Sequence, residues 1–384
     1  MLEDNKTWCV LPWIHQCVRT DNTLKPCCRF QNPKDDTRID ITLDDLATSG
    51  ISVMNDPNMK TLRENMLVGI KSPGCIKCYD QEGKNNAESL RTYINGRFSN
   101  VKKELLDNTF YKLQYIEMSI DNICNLQCKM CDSKFSTRLA LRDKFLGEPV
   151  YKKLEPNFRK FDNTDLSELE LVKVLGGEPF MSPNFVKFID YMIQRADPSK
   201  ITIEIATNGT VVPGKSLINK LNRFKLLDIH VSLDSFDKSN DYQRYGSSYL
   251  KIFDNAKLFG TLFNNANISF HTVVSLLTAN NLGSTIDYLT GQHDYHMTVD
   301  FVRYPHHLSL IHAPTEYVSW VLQCNEHSKW ATDLITTFLA LNNYNEKYWH
   351  EFLQHIIKLD GFYNTNLRDY NYELYTFLNL HNKD

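Results

Sequence analysis

The chain has 384 residues, 42% hydrophobic and 23% charged, which fits one large or two to three smaller globular domains and excludes a disordered or collagen-like chain. Lys and Arg number 43 against 46 Asp and Glu, a net charge of −3, with no long one-sign block, so there is no bulk electrostatic argument for nucleic acid or an anionic membrane. No apolar run approaches the roughly 18 to 20 residues of a membrane span, and the start, Met1 to Lys6, lacks the basic and apolar pattern of a secretory signal, so a soluble cytoplasmic protein in a reducing compartment is expected.

Residues 1–95 are poor in periodic strands and hold Cys9, Cys17, Cys27, Cys28, Cys75 and Cys78, six of the ten cysteines. Clustered cysteines in a reducing compartment point to metal or redox chemistry rather than a disulfide scaffold. This stretch is therefore expected to be a small metal-organised domain. Four ligands can be drawn from Cys9, Cys27 or Cys28, Cys75 and Cys78, enough to close the shell of a [4Fe-4S] cluster. The Cys75-x-x-Cys78 pair suits a structural zinc equally. Cys17 and Cys324 have no obvious partner and read as buried small apolar groups.

From residue 113 short β-branched runs alternate with helical patterns, which predicts βα units around a parallel sheet. Six strands are expected, at 113–120, 169–175, 201–207, 226–233, 268–274 and 297–303. A helix should start at Ser182-Pro183, where a serine N-cap precedes a proline at the first helical position and Phe185, Phe188, Ile189, Met192 and Ile193 repeat at helical spacing.

Alternation within the strands separates two faces. One is aliphatic: Ile116, Met118 and Ile120; Ile201, Ile203 and Ile205; Leu227, Ile229, Val231 and Leu233; Phe270 and Val274. The other carries Glu117, Ser119, Glu204, His230, Ser232, Asp234, His271, Ser275 and Asp300, more polar than a packed barrel interior tolerates. It reads as a solvated lumen for a polar ligand or as interstrand hydrogen bonding. Residues 311–384 read as helices, with one stripe at Trp330, Leu334, Ile335, Phe338 and Leu341 and another at Trp349, Phe352, Leu353, Ile356 and Ile357 that ends at Asp360-Gly361.

Two motifs carry chemistry. Cys124-Asn-Leu-Gln-Cys128-Lys-Met-Cys131 follows the first of these strands and precedes a helix expected near Ser133. Three thiolates in eight residues can hold three irons of a [4Fe-4S] cluster and leave the fourth open, or serve as three ligands of a structural zinc. Gly176-Gly177-Glu178-Pro179 ends the second strand. It is either a tight turn or a place where a ligand approaches the backbone and a buried carboxylate accepts hydrogen bonds from an ammonium group. After the fourth strand, Arg244 in Tyr242-Gln-Arg-Tyr-Gly246 offers a bidentate grip on a carboxylate or phosphate, or a surface salt bridge. Glu117, Glu204, His230 and His271 are further candidates for substrate contact or proton transfer.

In this order, at the ends of the first two strands of a βα array, these motifs resemble the radical S-adenosylmethionine superfamily. The strand ending Thr207-Asn208-Gly209 and the run Val231-Ser232-Leu233-Asp234-Ser235 extend the likeness over about residues 110–310. The resemblance implies an α/β fold with a partial (β/α)6 TIM-like barrel at 110–310, a SPASM/twitch-like auxiliary-cluster domain at 1–95 and a helical C-terminal extension at 311–384. It implies a site-differentiated [4Fe-4S] cluster on Cys124, Cys128 and Cys131, S-adenosyl-L-methionine with its amino group received by Gly176, Gly177 and Glu178, and polar contacts from Asn208, Ser232 and Asp234. In better-known members the auxiliary domain follows the barrel; here it precedes it. The family often places an aromatic residue before the third cysteine, where this chain has Met130. The implied activity is reductive cleavage of S-adenosylmethionine to a 5'-deoxyadenosyl radical that abstracts hydrogen from a substrate. That substrate is a peptide or protein, or a small polar metabolite, and the electron comes from a flavodoxin or ferredoxin-type reductant. The competing reading is a non-enzymatic metal-binding scaffold.

Overall fold

The computed structural model describes residues 6–33, 39, 41–42, 56–85, 88–101, 112–154, 158–161, 164–340 and 343–381. The strands are β1 (His15–Val18), β2 (Thr23–Lys25), β3 (Ile41–Thr42), β4 (Tyr115–Ser119), β5 (Gln127–Cys128), β6 (Leu171–Leu175), β7 (Thr202–Thr207), β8 (Leu226–Ser232), β9 (Arg244–Tyr245), β10 (Ala266–Val274) and β11 (His296–Phe301). Their order is β11-β10-β8-β7-β6-β4-β1-β2-β3, an open and mostly parallel sheet, with β5 and β9 forming a separate pair. All six expected strands are present, as β4, β6, β7, β8, β10 and β11. The first 95 residues, expected to be poor in strands, contribute β1, β2 and β3. Runs of two to four residues are too short to show a period in the sequence.

By internal packing the chain falls into two compact units: Met1–Asp121 with Leu154–Glu204 and Asn219–Leu226, and Asn122–Lys153 with Ile205–Ile218 and Leu227–Asp384. In the first unit β1 lies parallel to β4 and β4 parallel to β6, with Cys17 opposite Glu117 and Glu117 opposite Lys173. Residues in register share a face, so these three side chains form one row across the strands. The row continues where Lys173 Nζ stands 3.5 Å from Glu204 Oε2 and Arg97 Nη1 stands 2.6 Å from Glu204 Oε1. Burial works against the Lys173 ammonium, and the carboxylates of Glu204 and Glu117 outweigh it and raise its pKa. The alternate residues Ile116, Met118, Val172 and Val174 are buried on the aliphatic face. Helix Pro183–Arg195 starts as expected: Ser182 Oγ accepts the N–H groups of Asn184 and Phe185 at 3.1 and 3.2 Å, and Phe185, Phe188, Ile189 and Met192 are buried.

In the second unit β10 runs parallel to both β8 and β11. Leu227, Ile229 and Val231 of β8 are fully buried and alternate with half-buried neighbours, the period-two pattern of one covered face. Helix Lys329–Leu339 buries Ala331, Ile335 and Phe338. Trp330, expected in that stripe, is 42% exposed, because it lies one residue, about 100°, off the buried face. Leu341 lies outside the described residues. Helix Glu346–Tyr363 buries Phe352, Ile356, Leu359 and Tyr363 and runs through the expected stop at Gly361 to Asn364, whose φ is 51°. Asn tolerates this left-handed conformation, and Asp360 fixes the exit by accepting from Thr365 Oγ1 at 2.7 Å and Leu367 N at 2.9 Å.

On this helix the His355 ring lies 4.4 Å from that of His307, and both Nε2 atoms are buried without a hydrogen-bond partner. Burial, then the neighbouring His307, Arg142 and Lys129, push the His355 pKa from 6.5 down to about 2. The folded protein keeps this ring neutral while the unfolded chain takes up a proton below pH 6.5. Stability is therefore lost as pH falls from about 6.5, by up to about 1.4 kcal/mol per pH unit for one proton. Thermal melts from pH 7 to 4.5 should show that decline in the wild type and a shallower one in His355→Phe.

Candidate active site

The three-cysteine loop belongs to the second unit and is held from two sides. Gln127 and Cys128 form β5 and pair antiparallel with Tyr245 and Arg244 of β9, and Lys129 N donates to Gln243 O at 2.7 Å. Arg142 Nη1 donates to Cys128 O at 3.0 Å, and its Nη2 donates to Cys131 O and to Asp143 Oδ1. Asp143 Oδ2 in turn accepts Ser133 N at 2.6 Å. The helix expected near Ser133 starts at Ala140 after a 3-10 turn at Thr137–Leu139. The residues between are spent on a local turn in which Asp132 O accepts the N–H groups of Phe135 and Ser136.

Cationic groups surround these thiols. Cys128 and Cys131 hydrogen-bond to each other, and that bond, with Arg244 and Arg142 nearby, holds the Cys131 thiol below its usual range. The same bond, with burial, holds the Cys128 thiol up, so of this pair Cys131 carries the thiolate character, the form that binds metal. Cys124 Sγ accepts from Leu126 N at 3.5 Å and from Asn208 Nδ2 at 3.7 Å. Asn208 also donates to Asn125 Oδ1 at 2.9 Å and accepts from Thr210 N at 3.0 Å. Of the polar candidates, Asn208 is thus placed directly on the loop. Among the described residues no three His, Cys, Asp or Glu side chains are grouped to hold one metal ion. A cubane cluster would ask for thiolates that ring a volume instead of meeting at a point, and the donor chemistry here is three thiols with two guanidiniums near Cys131.

Asp234 is 1% exposed, and its carboxylate holds Arg244 through Nε at 2.7 Å and Nη2 at 2.8 Å. It also accepts Val273 N at 3.0 Å and the amide of Gln243. The Arg244 grip expected for a ligand or a surface salt bridge is therefore spent on a buried carboxylate of the same unit, beside Cys128. Ser232 lies half-buried at the end of β8, opposite His271. His230 and His271 each face a hydroxyl, with Nδ1 2.7 Å from Ser269 Oγ and 2.8 Å from Thr298 Oγ1.

In the first unit the Gly-Gly-Glu-Pro turn closes against Asp121. Gly176 has φ 132°, and a Cβ there would lie 2.4 Å from Asp121 O, so no other residue fits. Gly177 N donates to that same oxygen at 2.9 Å. Glu178 is fully buried, and its Oε1 accepts Phe180 N at 3.1 Å, capping the 3-10 turn Pro179–Met181. Asp121, not singled out in the sequence, also accepts from Ser182 Oγ and from Asn184 Nδ2.

The N-terminal cysteines separate cleanly. Cys9, Cys27, Cys75 and Cys78 line one cavity of the first unit, beside Phe30 and Arg91. Burial pushes Cys9 and Cys27 well up and Cys75 up to about 12, with the neighbouring cysteines of the set adding to each shift. A bound cation would reverse that balance. Cys28 is exposed, and its thiol hydrogen-bonds Glu117. Cys17, expected to be merely an apolar filler, is buried but donates to Glu117 Oε1 at 3.6 Å.

Three further residues shape the loop without any local sequence signal: Arg142, Gln243 and Lys129. Lys129 is 2% exposed; its Nζ has no hydrogen-bond partner and lies 3.9 Å from the ring centroid of Tyr242 and 4.9 Å from that of Tyr363. Burial lowers its pKa to about 8. Its partners come from segments over 100 residues downstream, which no local pattern reveals.

The sequence profile of the radical SAM superfamily matches residues 118–289. Two curated relatives are similar to this chain. A GTP 3',8-cyclase of Haemophilus ducreyi is 24% identical over 134 residues, 35% of this chain and 36% of its own length. A GTP 3',8-cyclase of Alkaliphilus oremlandii is 28% identical over 144 residues, 35% and 40% of the two chains. The match thus spans well under half of each relative. Among solved structures, anSMEcpe with bound AdoMet aligns at TM-score 0.42 and 16% identity, covering 59% of this chain and 60% of that one. Streptococcus suis SuiB bound to precursor peptide SuiA aligns at 0.38 and 15%, covering 75% and 64%.

Removing one partner of a buried ion pair strands the other charge, at a cost of about 3–5 kcal/mol. Arg244→Met should lose stability of that order in urea unfolding, while Asp165→Asn, a change at an exposed carboxylate, should unfold with the wild-type midpoint.

Proposed function

We propose that this chain is a radical SAM enzyme, as the superfamily match over residues 118–289 supports, that it holds a site-differentiated [4Fe-4S] cluster on Cys124, Cys128 and Cys131, and that it abstracts hydrogen from a substrate. When bound, the cluster and S-adenosylmethionine supply the 5'-deoxyadenosyl radical that performs the abstraction. The observation that carries this reading is the loop itself: three thiols on one short segment, with the guanidiniums of Arg244 and Arg142 near Cys131 and Asn208 touching Cys124. Arg142 fixes the loop's carbonyls, and Arg244, steadied by Asp234, supports the thiolate form. Gly176 and Gly177, in the turn that closes on Asp121, receive the methionyl group, and the buried Glu178 carboxylate takes its ammonium. Asn208 and Ser232 provide polar contacts to the nucleoside portion, and Asp234 contributes through Arg244.

The same reading assigns an auxiliary [4Fe-4S] cluster to Cys9, Cys27, Cys75 and Cys78, supported by the cavity they share. A second cluster suits a reaction in which the substrate radical gives up an electron. The substrate taken first is therefore a peptide or protein side chain that is dehydrogenated or crosslinked. A small polar metabolite is the second reading, favoured by the two GTP 3',8-cyclase matches. A flavodoxin or ferredoxin-type protein is the proposed reductant.

Anaerobically purified protein should contain about eight irons per chain, falling to about four in the Cys124, Cys128 and Cys131 to Ala variant. Cys27→Ala should also fall to about four, while Cys28→Ala keeps the full complement. About four irons in the wild type, falling to near zero in the triple variant, would confine iron to the barrel loop and leave the N-terminal cavity to zinc. No iron in the wild type, or no 5'-deoxyadenosine formed from S-adenosylmethionine with a strong reductant, would sink the enzyme reading. Transfer of deuterium from a labelled peptide into 5'-deoxyadenosine separates the two substrate classes.

A further inference from the structure

The segment that follows the cysteine loop has two unlike faces. Its inner face is made by Arg142 and Asp143, both buried and bonded to the loop. On the outer face of helix Ala140–Leu146, Leu141 is 75% and Phe145 56% exposed, one turn apart. Further along the segment, Val150 is 51% exposed. Phe145 rests one side of its ring on Phe362, centroids 5.1 Å apart, and the face it leaves exposed beside Leu141 is an apolar patch of the kind that marks an interaction surface.

Their surroundings are cationic. Between residues 132 and 153 the charged side chains that are not buried are Lys134, Arg138, Lys144, Lys152 and Lys153 against Asp132 and Glu148, five positive to two negative. The whole chain carries −3, so this segment runs against the sign of the molecule. It is also held in place: Asn122 Nδ2 donates to Lys152 O at 3.0 Å and Tyr151 N donates to Ser133 Oγ at 2.9 Å.

We propose that this face is the docking site for a small acidic one-electron carrier protein, the reductant of the cluster loop. Resting on the radical SAM reading, it adds the place where the electron enters. An apolar centre with a basic rim fits a transient partner whose anionic surface is steered in by charge and released easily. The helix between partner and loop is about 10–12 Å across, so a cofactor at the partner's surface comes within one helix thickness of the cysteines. The transfer is of one electron: the carrier is oxidised, the cluster is reduced by the same electron, and no bond or proton moves.

The test titrates reduced flavodoxin into the full anaerobic chain and follows both complex formation and bleaching of the cluster absorbance, with dithionite as the small-molecule control. Leu141→Glu combined with Lys144→Glu should weaken flavodoxin binding at least tenfold and slow flavodoxin-driven bleaching to match, with dithionite-driven bleaching and melting temperature unchanged. Wild-type binding should weaken as salt rises. Equal flavodoxin binding by variant and wild type overturns the proposal. So does a wild-type dimer that becomes monomeric in the variant with flavodoxin binding intact, which would make the face a self-interface. Iron analysis of the same wild-type sample separates failure of the radical SAM reading, no cluster, from failure of the docking site, a cluster whose carrier binds elsewhere.

Discussion

Three thiols brought together in eight residues repel one another once ionised, so the loop that carries them exists as a binding site only if positive charge is built in around it. Two guanidiniums answer that need in different ways. Arg142 satisfies the carbonyls of Cys128 and Cys131 and so sets the backbone. Arg244 faces the sulfurs and is itself fixed by both oxygens of Asp234. Had Arg244 lacked that carboxylate, its long side chain would have several rotamers and a large desolvation cost. Paired, it is a fixed positive charge whose position is inherited from the end of β8. The short β5–β9 pairing then follows, because Arg244 is the residue opposite Cys128.

The same logic separates the two neighbouring cysteines near the N-terminus. Cys27 and Cys28 open a turn closed by Phe30 N donating to Cys27 O at 3.2 Å, and their thiols go to different partners. Cys27 goes to the four-cysteine cavity. Cys28 goes to Glu117, which also receives Cys17. Glu117 stands in register with Lys173, and Lys173 reaches Glu204. A row of thiol, carboxylate, ammonium and carboxylate thus crosses the polar face of the first unit, and Arg97 on Glu204 supplies the positive charge that balances it. What read as a concentration of polar residues for a ligand is in large part mutual pairing.

Legibility in the sequence followed the range of the interaction. The six main strands and helix Pro183–Arg195 were readable because their signals, alternation and a serine-proline start, lie within a few residues. The cysteine loop and the Gly176 turn were readable for the same reason: spacing and backbone clearance are local properties. Arg142 and Lys129 were not, since their roles depend on carbonyls and rings brought together by folding. The stop of helix Glu346–Tyr363 was misplaced because a glycine is the commoner C-terminal signal, whereas Asn364 does that work here with support from Asp360, Thr365 and Leu367.

Asp360 also explains why the C-terminal helices are more than an appendage to the second unit. Its Oδ1 accepts Tyr242 OH at 2.9 Å, which fixes the ring lying over Lys129. Tyr363, one turn on, supplies another face to the same ammonium, and Tyr245 packs against Tyr363 with centroids 4.2 Å apart. A buried ammonium without hydrogen bonds is costly, and aromatic faces offset part of that cost only where they are held close. The cysteine loop therefore places a charge at Lys129 that is tolerable only when helix Glu346–Tyr363 is seated. Folding of the extension and ordering of the loop become one event, and the geometry of Cys128 and Cys131 depends on residues over 200 positions away in the chain.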